Sequence, residues 1–145
     1  MPRPDPALLD AARYPFQGLI ETRYRDVDSN HHLNNGVIAS LLEEGRVRFH
    51  HASQFGSISS DPGLSAMVAS VTIDYLREGT WPEPLDMHVA IRRIGNSSYE
   101  LCQLIRQQGQ ATTFAVATMV CVRGGSPWAI PEDHREMARH WMLKQ

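Results

Sequence analysis

The chain has 145 residues, 42% of them hydrophobic and 21% charged, which is the composition of one globular domain with a single core. A net charge of -2 gives no electrostatic drive toward nucleic acid or an anionic membrane surface, and no apolar run approaches the ~18 residues of a membrane span. Cys102 and Cys121 stand in separate apolar runs with neither CxxC nor Cys/His spacing, so they are expected as buried free thiols and not as a zinc site.

The opening MPRPDPALLD lacks the basic-then-apolar pattern of a secretory signal, so a soluble cytoplasmic protein is expected. Pro2, Pro4, Pro6 and Pro15 make residues 1–15 an extended arm with at most a short helical turn at Ala7 to Arg13. From Gln17 to Arg25, β-prone Ile20, Thr22 and Tyr24 alternate with Glu21, Arg23 and Arg25, the period of a half-exposed strand. Asp26-Val27-Asp28-Ser29-Asn30-His31-His32-Leu33-Asn34-Asn35 follows, too polar for core and wedged between two ordered elements.

Asn34 or Asn35 can cap a helix running to about Phe55. Ile38, Leu41, Leu42, Gly45 and Phe49 form its apolar stripe, with Glu43, Glu44, Arg46, Arg48 and His50 largely off it. Gly45 costs about 1 kcal/mol of helix propensity against Ala, so a glycine there implies that a neighbouring element, expected to be a sheet, passes very close. Gln54 to Leu64, rich in serine and containing Gly56, Pro62 and Gly63, reads as a loop.

Four β-like runs come next, at Ser65 to Arg77, Leu85 to Ile94, Ser98 to Arg106 and Ala111 to Arg123. Their connections are too short for a crossover helix, so an antiparallel meander is expected. In the last run Ala115, Ala117, Met119 and Cys121 share one face, and Phe114, Val116, Val120 and Val122 the other. Both faces are apolar, which places that strand centrally and offers a small-residue groove to a helix. Pro131 to Leu143 reads as a short terminal helix. The sum is an α+β fold in one domain, a five-stranded antiparallel sheet partly wrapped around one long helix. One helix covers only part of such a sheet, so at least a dimer is expected.

The polar stretch presents a carboxylate, carboxamides and an imidazole at the mouth of a helix, which is the equipment of a reaction site. Asp28 can also be read as a turn residue, His32 as a packed histidine, Asn34 and Asn35 as plain caps, and Glu43 with Arg46 as a surface ion pair. Adjacent His31 and His32 with Asp28 rarely address one ion, so no metal is expected.

DVDSNHHLNN followed by LLEEGRVRF resembles the signature of the hotdog-fold acyl-CoA thioesterases, the 4-hydroxybenzoyl-CoA thioesterase family. Val71-Thr72-Ile73-Asp74-Tyr75-Leu76 is similar to the second strand of that family, and Ile94-Gly95-Asn96-Ser97-Ser98 to its later G-x-S-S turn. The resemblance spans about residues 17 to 123. It implies a hotdog fold, a homodimer or homotetramer, no cofactor, and hydrolysis of an acyl-CoA or acyl-carrier-protein thioester. It makes Asp28 the catalytic carboxylate, as nucleophile or as general base, and the Asn35 backbone N–H the oxyanion donor. Asn30 and His32 are similar to the D-x-N-x-H stretch of plant acyl-carrier-protein thioesterases, which implies a polarising Asn30, an orienting or basic His32, and a supporting Glu43. Ile38 and Leu42, which read equally as core, would meet the acyl chain, and Gly95, Asn96, Ser97 and Ser98 the pantetheine or phosphates. A hydratase or dehydratase on the same fold, or a non-catalytic binding module, is the alternative; the D-x-N-P-x-H pattern of the former is not matched, since this chain lacks its proline.

Overall fold

The computed structural model describes residues 3–55 and 62–145. The serine-rich part of the expected loop, residues 56–61, lies outside the described residues. The elements are β1 (Phe16–Ile20), α1 (Asn35–Ser53), β2 (Leu64–Tyr75), β3 (Leu85–Ile94), β4 (Ser98–Gln107), β5 (Gln110–Arg123), β6 (Ser126–Pro127) and α2 (Glu132–Ala138).

All strand pairs are antiparallel, and the order across the sheet is β1-β3-β4-β5-β2, with two-residue β6 turning back on β5. The expected meander therefore holds for β3, β4 and β5 but not for β2, which pairs with the far side of β5, Tyr75 opposite Thr113. The segment from 76 to 84 carries the chain from that edge back to β3. A connection too short for a helix still reaches across a sheet when it runs extended.

The expected strand from Gln17 stops at Ile20. Beyond it, Asp26 folds the chain into a short 3-10 turn, Tyr24–Asp26. Its buried carboxylate accepts from the Arg23 backbone N–H at 2.9 Å and pairs with the Arg23 guanidinium at 3.0 Å. Burial opposes ionisation of Asp26, but the hydrogen bonds from Arg23 and the charges of Arg23 and Arg25 outweigh it and hold the carboxyl below its ordinary range.

Helix α1 buries Ile38, Leu42, Gly45 and Phe49 against the inner face of the sheet. Arg46 departs from its expected solvent position: it is buried, and its Nη1 donates to Gln103 Oε1 at 3.0 Å. Gln103, itself fully buried on β4, also donates to the Leu42 carbonyl at 2.8 Å. A polar partner on the facing strand draws the arginine inward, and helical spacing carries no record of it.

Strand β5 has the two apolar faces expected of it. Ala115, Ala117, Met119 and Cys121 face the helix-side core, while Phe114 and Val116 join Tyr14, Ala90, Cys102 and Leu104 on the other side. The N-terminal arm is not simply extended. It forms two 3-10 turns, Pro6–Leu9 and Ala11–Arg13, and Leu8, Leu9 and Tyr14 cover part of the outer sheet face. The expected terminal helix ends early, with a 3-10 turn over Arg139–Trp141 after α2. β1 pairs with β3 only as far as Val89. Beyond that the β3 backbone is taken by the tail, Leu143 N–H donating to Ile91 O at 2.9 Å. Both cysteines are buried free thiols, and no helix among the described residues is long and apolar enough to cross a membrane.

Candidate active site

The polar stretch is a closed loop. Val27 and Leu33 form an antiparallel bridge, Asp28 N–H donates to His32 O at 2.9 Å, and His31 N–H donates to Asp28 O at 3.0 Å. His31 takes a left-handed conformation (φ 63°) to make the bend. Asp28 Oδ1 braces the interior, accepting from Asn30 N–H at 2.9 Å and His32 N–H at 3.3 Å. No hydrogen bond to its second oxygen occurs among the described residues. One carboxylate thus holds the loop with one oxygen and keeps the other open.

Asn34 is the cap of α1, its side chain accepting from Gly36 N–H at 2.7 Å. The Asn35 N–H, first in the helix, has no acceptor among the described residues. It is one of the orphan donors that make a helix start attractive to developing negative charge.

Asp28, Asn30, His32, Asn35 and Ile38 line one pocket of about 390 Å³, within the range of small-molecule sites. The opposite wall comes from the end of β2 and the segment after it: Tyr75, Leu76, Arg77, Glu78 and Gly79, with Thr113 of β5. Tyr75 Oη donates to Asn35 O at 3.1 Å, tying β2 to the helix start. His32 Nδ1 lies 2.5 Å from Glu78 Oε2. This second wall was missed in the sequence, where Glu78-Gly79 reads only as a strand breaker. Nothing in spacing links position 78 to position 32; only the β2–β5 pairing does.

Six sequence candidates lie elsewhere. Leu42 is fully buried in the core and Glu43 is exposed, and neither lines this pocket. Gly95 to Ser98 form the β3–β4 turn at the other end of the sheet, about 20 Å away by strand rise from Thr113 to Met119. The turn is bound internally. Gly95 N–H donates to Ser98 O at 2.7 Å, and the Arg135 guanidinium donates to the Gly95 and Asn96 carbonyls at 2.9 and 3.0 Å. The basic residue at the turn is therefore Arg135 of α2. Among the described residues no group of three or more His, Cys, Asp or Glu side chains is placed to hold a metal ion.

The sequence profile of the thioesterase-like superfamily matches residues 22–137. Among curated protein sequences none matches the chain. Among solved structures, a thioesterase from Thermus thermophilus, complexed with coenzyme A and zinc, is similar at 26% identity. Its TM-score is 0.78, over 92% of this chain and 98% of that one. A predicted thioesterase from Bacillus stearothermophilus has the same fold at 22% identity and TM-score 0.78, over 90% of this chain and 98% of that one. So does a 1,4-dihydroxy-2-naphthoyl-CoA thioesterase from Synechocystis, at 13% identity and TM-score 0.74, over 86% and 95% of the two chains. With the profile covering most of its length and the curled antiparallel sheet packed on one long helix, the chain belongs to the thioesterase-like superfamily of hotdog-fold proteins, whose general chemistry is thioester hydrolysis.

Proposed function

We propose that the chain hydrolyses an acyl-CoA thioester to the free acid and the thiol, with Asp28 as the essential carboxylate. The observation that carries this reading is the convergence of Asp28, His32 and the start of α1 on a single pocket. A thioester carbonyl is already electrophilic and its thiolate is a good leaving group, so one positioned carboxylate and one oxyanion donor suffice. The open oxygen of Asp28 attacks the carbonyl carbon or takes a proton from the attacking water. The Asn35 N–H receives the oxyanion, Asn30 polarises the attacking group, and Ile38 meets the first part of the acyl chain. Coenzyme A as the thiol is favoured over a carrier protein by the coenzyme A bound to the Thermus thioesterase.

The working unit in this reading is a homodimer. Strand β2 is a sheet edge of 12 residues exposing Met67, Val68, Val71 and Tyr75, an arrangement that a monomer leaves open to pairing.

The test is thiol release from a panel of acyl-CoAs. Asp28→Asn retains an oxygen that can brace the loop while losing the charge. It is expected to fold with an unchanged melting temperature and to lose about 100-fold or more in kcat/KM. Wild-type activity in Asp28→Asn would remove the mechanism. Hydration of an enoyl-CoA with no thiol released would replace hydrolysis with the hydratase reading.

A further inference from the structure

We propose that Thr113 is a specificity-determining residue whose hydroxyl binds an oxygen substituent on the acyl group, so that the substrate is a short acyl-CoA carrying a hydroxyl or keto oxygen on its second or third carbon. This rests on the hydrolase reading above. Thr113 is 1% exposed and lines the same pocket as Asp28. Alternation along β5 puts its side chain on the inner face of the sheet with Ala115 and Ala117. No hydrogen bond from the Thr113 hydroxyl occurs among the described residues. The other buried threonines among them are satisfied within the fold: Thr22 Oγ1 donates to Glu83 O at 3.1 Å, and Thr112 Oγ1 to Ile105 O at 3.3 Å. A buried hydroxyl without a partner is costly, and valine would fill the same strand position without that cost.

Depth within the pocket decides which part of a thioester meets this hydroxyl. Asn30, Asn35, Arg77 and Glu78 are exposed and form the rim, whereas Leu33, Ile38 and Thr113 are buried and form the floor. Ile38 lies three residues into α1 from Asn35, ~4.5 Å of axial rise. In the hydrolase reading, a carbonyl at the Asn35 N–H sends its acyl group inward, and the floor is met a few carbons beyond that carbonyl. Past Thr113 the inner face of β5 continues into Ala115 and Ala117, both fully buried in the core with Leu42. The acyl group therefore ends against two aliphatic side chains and one hydroxyl. That hydroxyl can donate to a keto oxygen or exchange a hydrogen bond with a substrate hydroxyl. A plain alkyl chain leaves it dry and unpaired, and such a mismatch discriminates more strongly than one added methylene does.

Thiol release from butanoyl-CoA, 2-hydroxybutanoyl-CoA and 3-hydroxybutanoyl-CoA tests the assignment. The wild type is expected to favour at least one hydroxylated substrate over butanoyl-CoA by about 10-fold or more in kcat/KM. Thr113→Val is expected to bring that ratio below about threefold, gaining on butanoyl-CoA as it loses on the hydroxylated substrate, and Thr113→Ser to keep the preference. A wild type without the preference, or a Thr113→Val that retains it, would overturn the proposal. So would an equal loss on all three substrates, which would assign the hydroxyl to the reaction and not to the acyl group. The wild-type ratio needs no variant, so the proposal stays open to refutation even if Thr113→Val does not fold. Calorimetric titration with S-butyl-CoA, S-(2-hydroxybutyl)-CoA and S-(3-hydroxybutyl)-CoA, thioethers with no carbonyl to hydrolyse, is expected to show about 10-fold tighter binding of a hydroxylated member, lost in Thr113→Val. Equal binding of the three would count against Thr113. A wild type that hydrolyses no thioester would sink the hydrolase reading and leave the thioethers to decide on Thr113.

Discussion

His50 sits on the sheet-facing side of α1, with Nε2 2.9 Å from Tyr99 Oη and its ring against Phe49 and Tyr99. Burial, reinforced by the Arg46 charge, lowers its pKa from 6.5 to about 4. His88 is buried, with neither ring nitrogen hydrogen-bonded among the described residues, and is shifted the same way, burial and Arg106 outweighing Asp86. A histidine depressed on folding binds its proton more tightly in the unfolded chain. Its stabilising contribution is complete above about pH 6.5 and is lost as pH falls toward 4. Urea unfolding is therefore expected to give a flat stability from pH 8 to 6.5 and a decline below it, about 3 kcal/mol of it from His50 alone. His50→Gln is expected to flatten that decline, and a slope unchanged in the variant would exclude His50 as its source. At this scale Asp28, Asn30, His32 and Asn35 were legible because polar residues crowd one stretch. Glu78 and Tyr75 were not, because a pocket wall built from a distant strand end leaves no local pattern. The burial of Arg46 is not legible because helical phase reports where side chains start and not which partners they reach.

At the scale of elements, α1 and β3 are in such close contact that position 45 has no room for a side chain. A Cβ there would lie 2.8 Å from both Cγ and Sδ of Met87, which is buried. Helix propensity favours alanine by about 1 kcal/mol, and overpacking at a filled site costs about 1–3. Gly45→Ala is thus expected to lose about 1 kcal/mol of stability by chemical denaturation, and a gain would show that Met87 can move aside. The glycine announced this approach from the sequence, as the doubly apolar faces of β5 announced its central place. The strand expected over 17–25 ends at Ile20 because alternation in polarity does not distinguish a strand from a buried carboxylate gathering the chain around itself.

For the molecule as a whole, the exposed edge of β2 gives the proposed dimer its test. Met67→Lys combined with Val71→Lys puts charge on two exposed positions of the edge. Sedimentation is expected to show a dimer for the wild type and a monomer for the double variant, and a wild type that sediments as a monomer would refute the pairing. Strand content and the α+β class were legible from turn signals and periodicity. The sheet order was not, because a short connection constrains length and leaves open which edge it reaches. The non-sequential placement of β2 also sets a timetable. The pocket draws its walls from residues 28–38, 75–79 and 113, so no partial chain that lacks β5 possesses it. Such long-range closure is slow relative to local helix formation. During synthesis the Asp28 loop is therefore made early but gains its opposite wall only after the fifth strand is available, and the proposed activity is expected to arrive together with the last large part of the sheet.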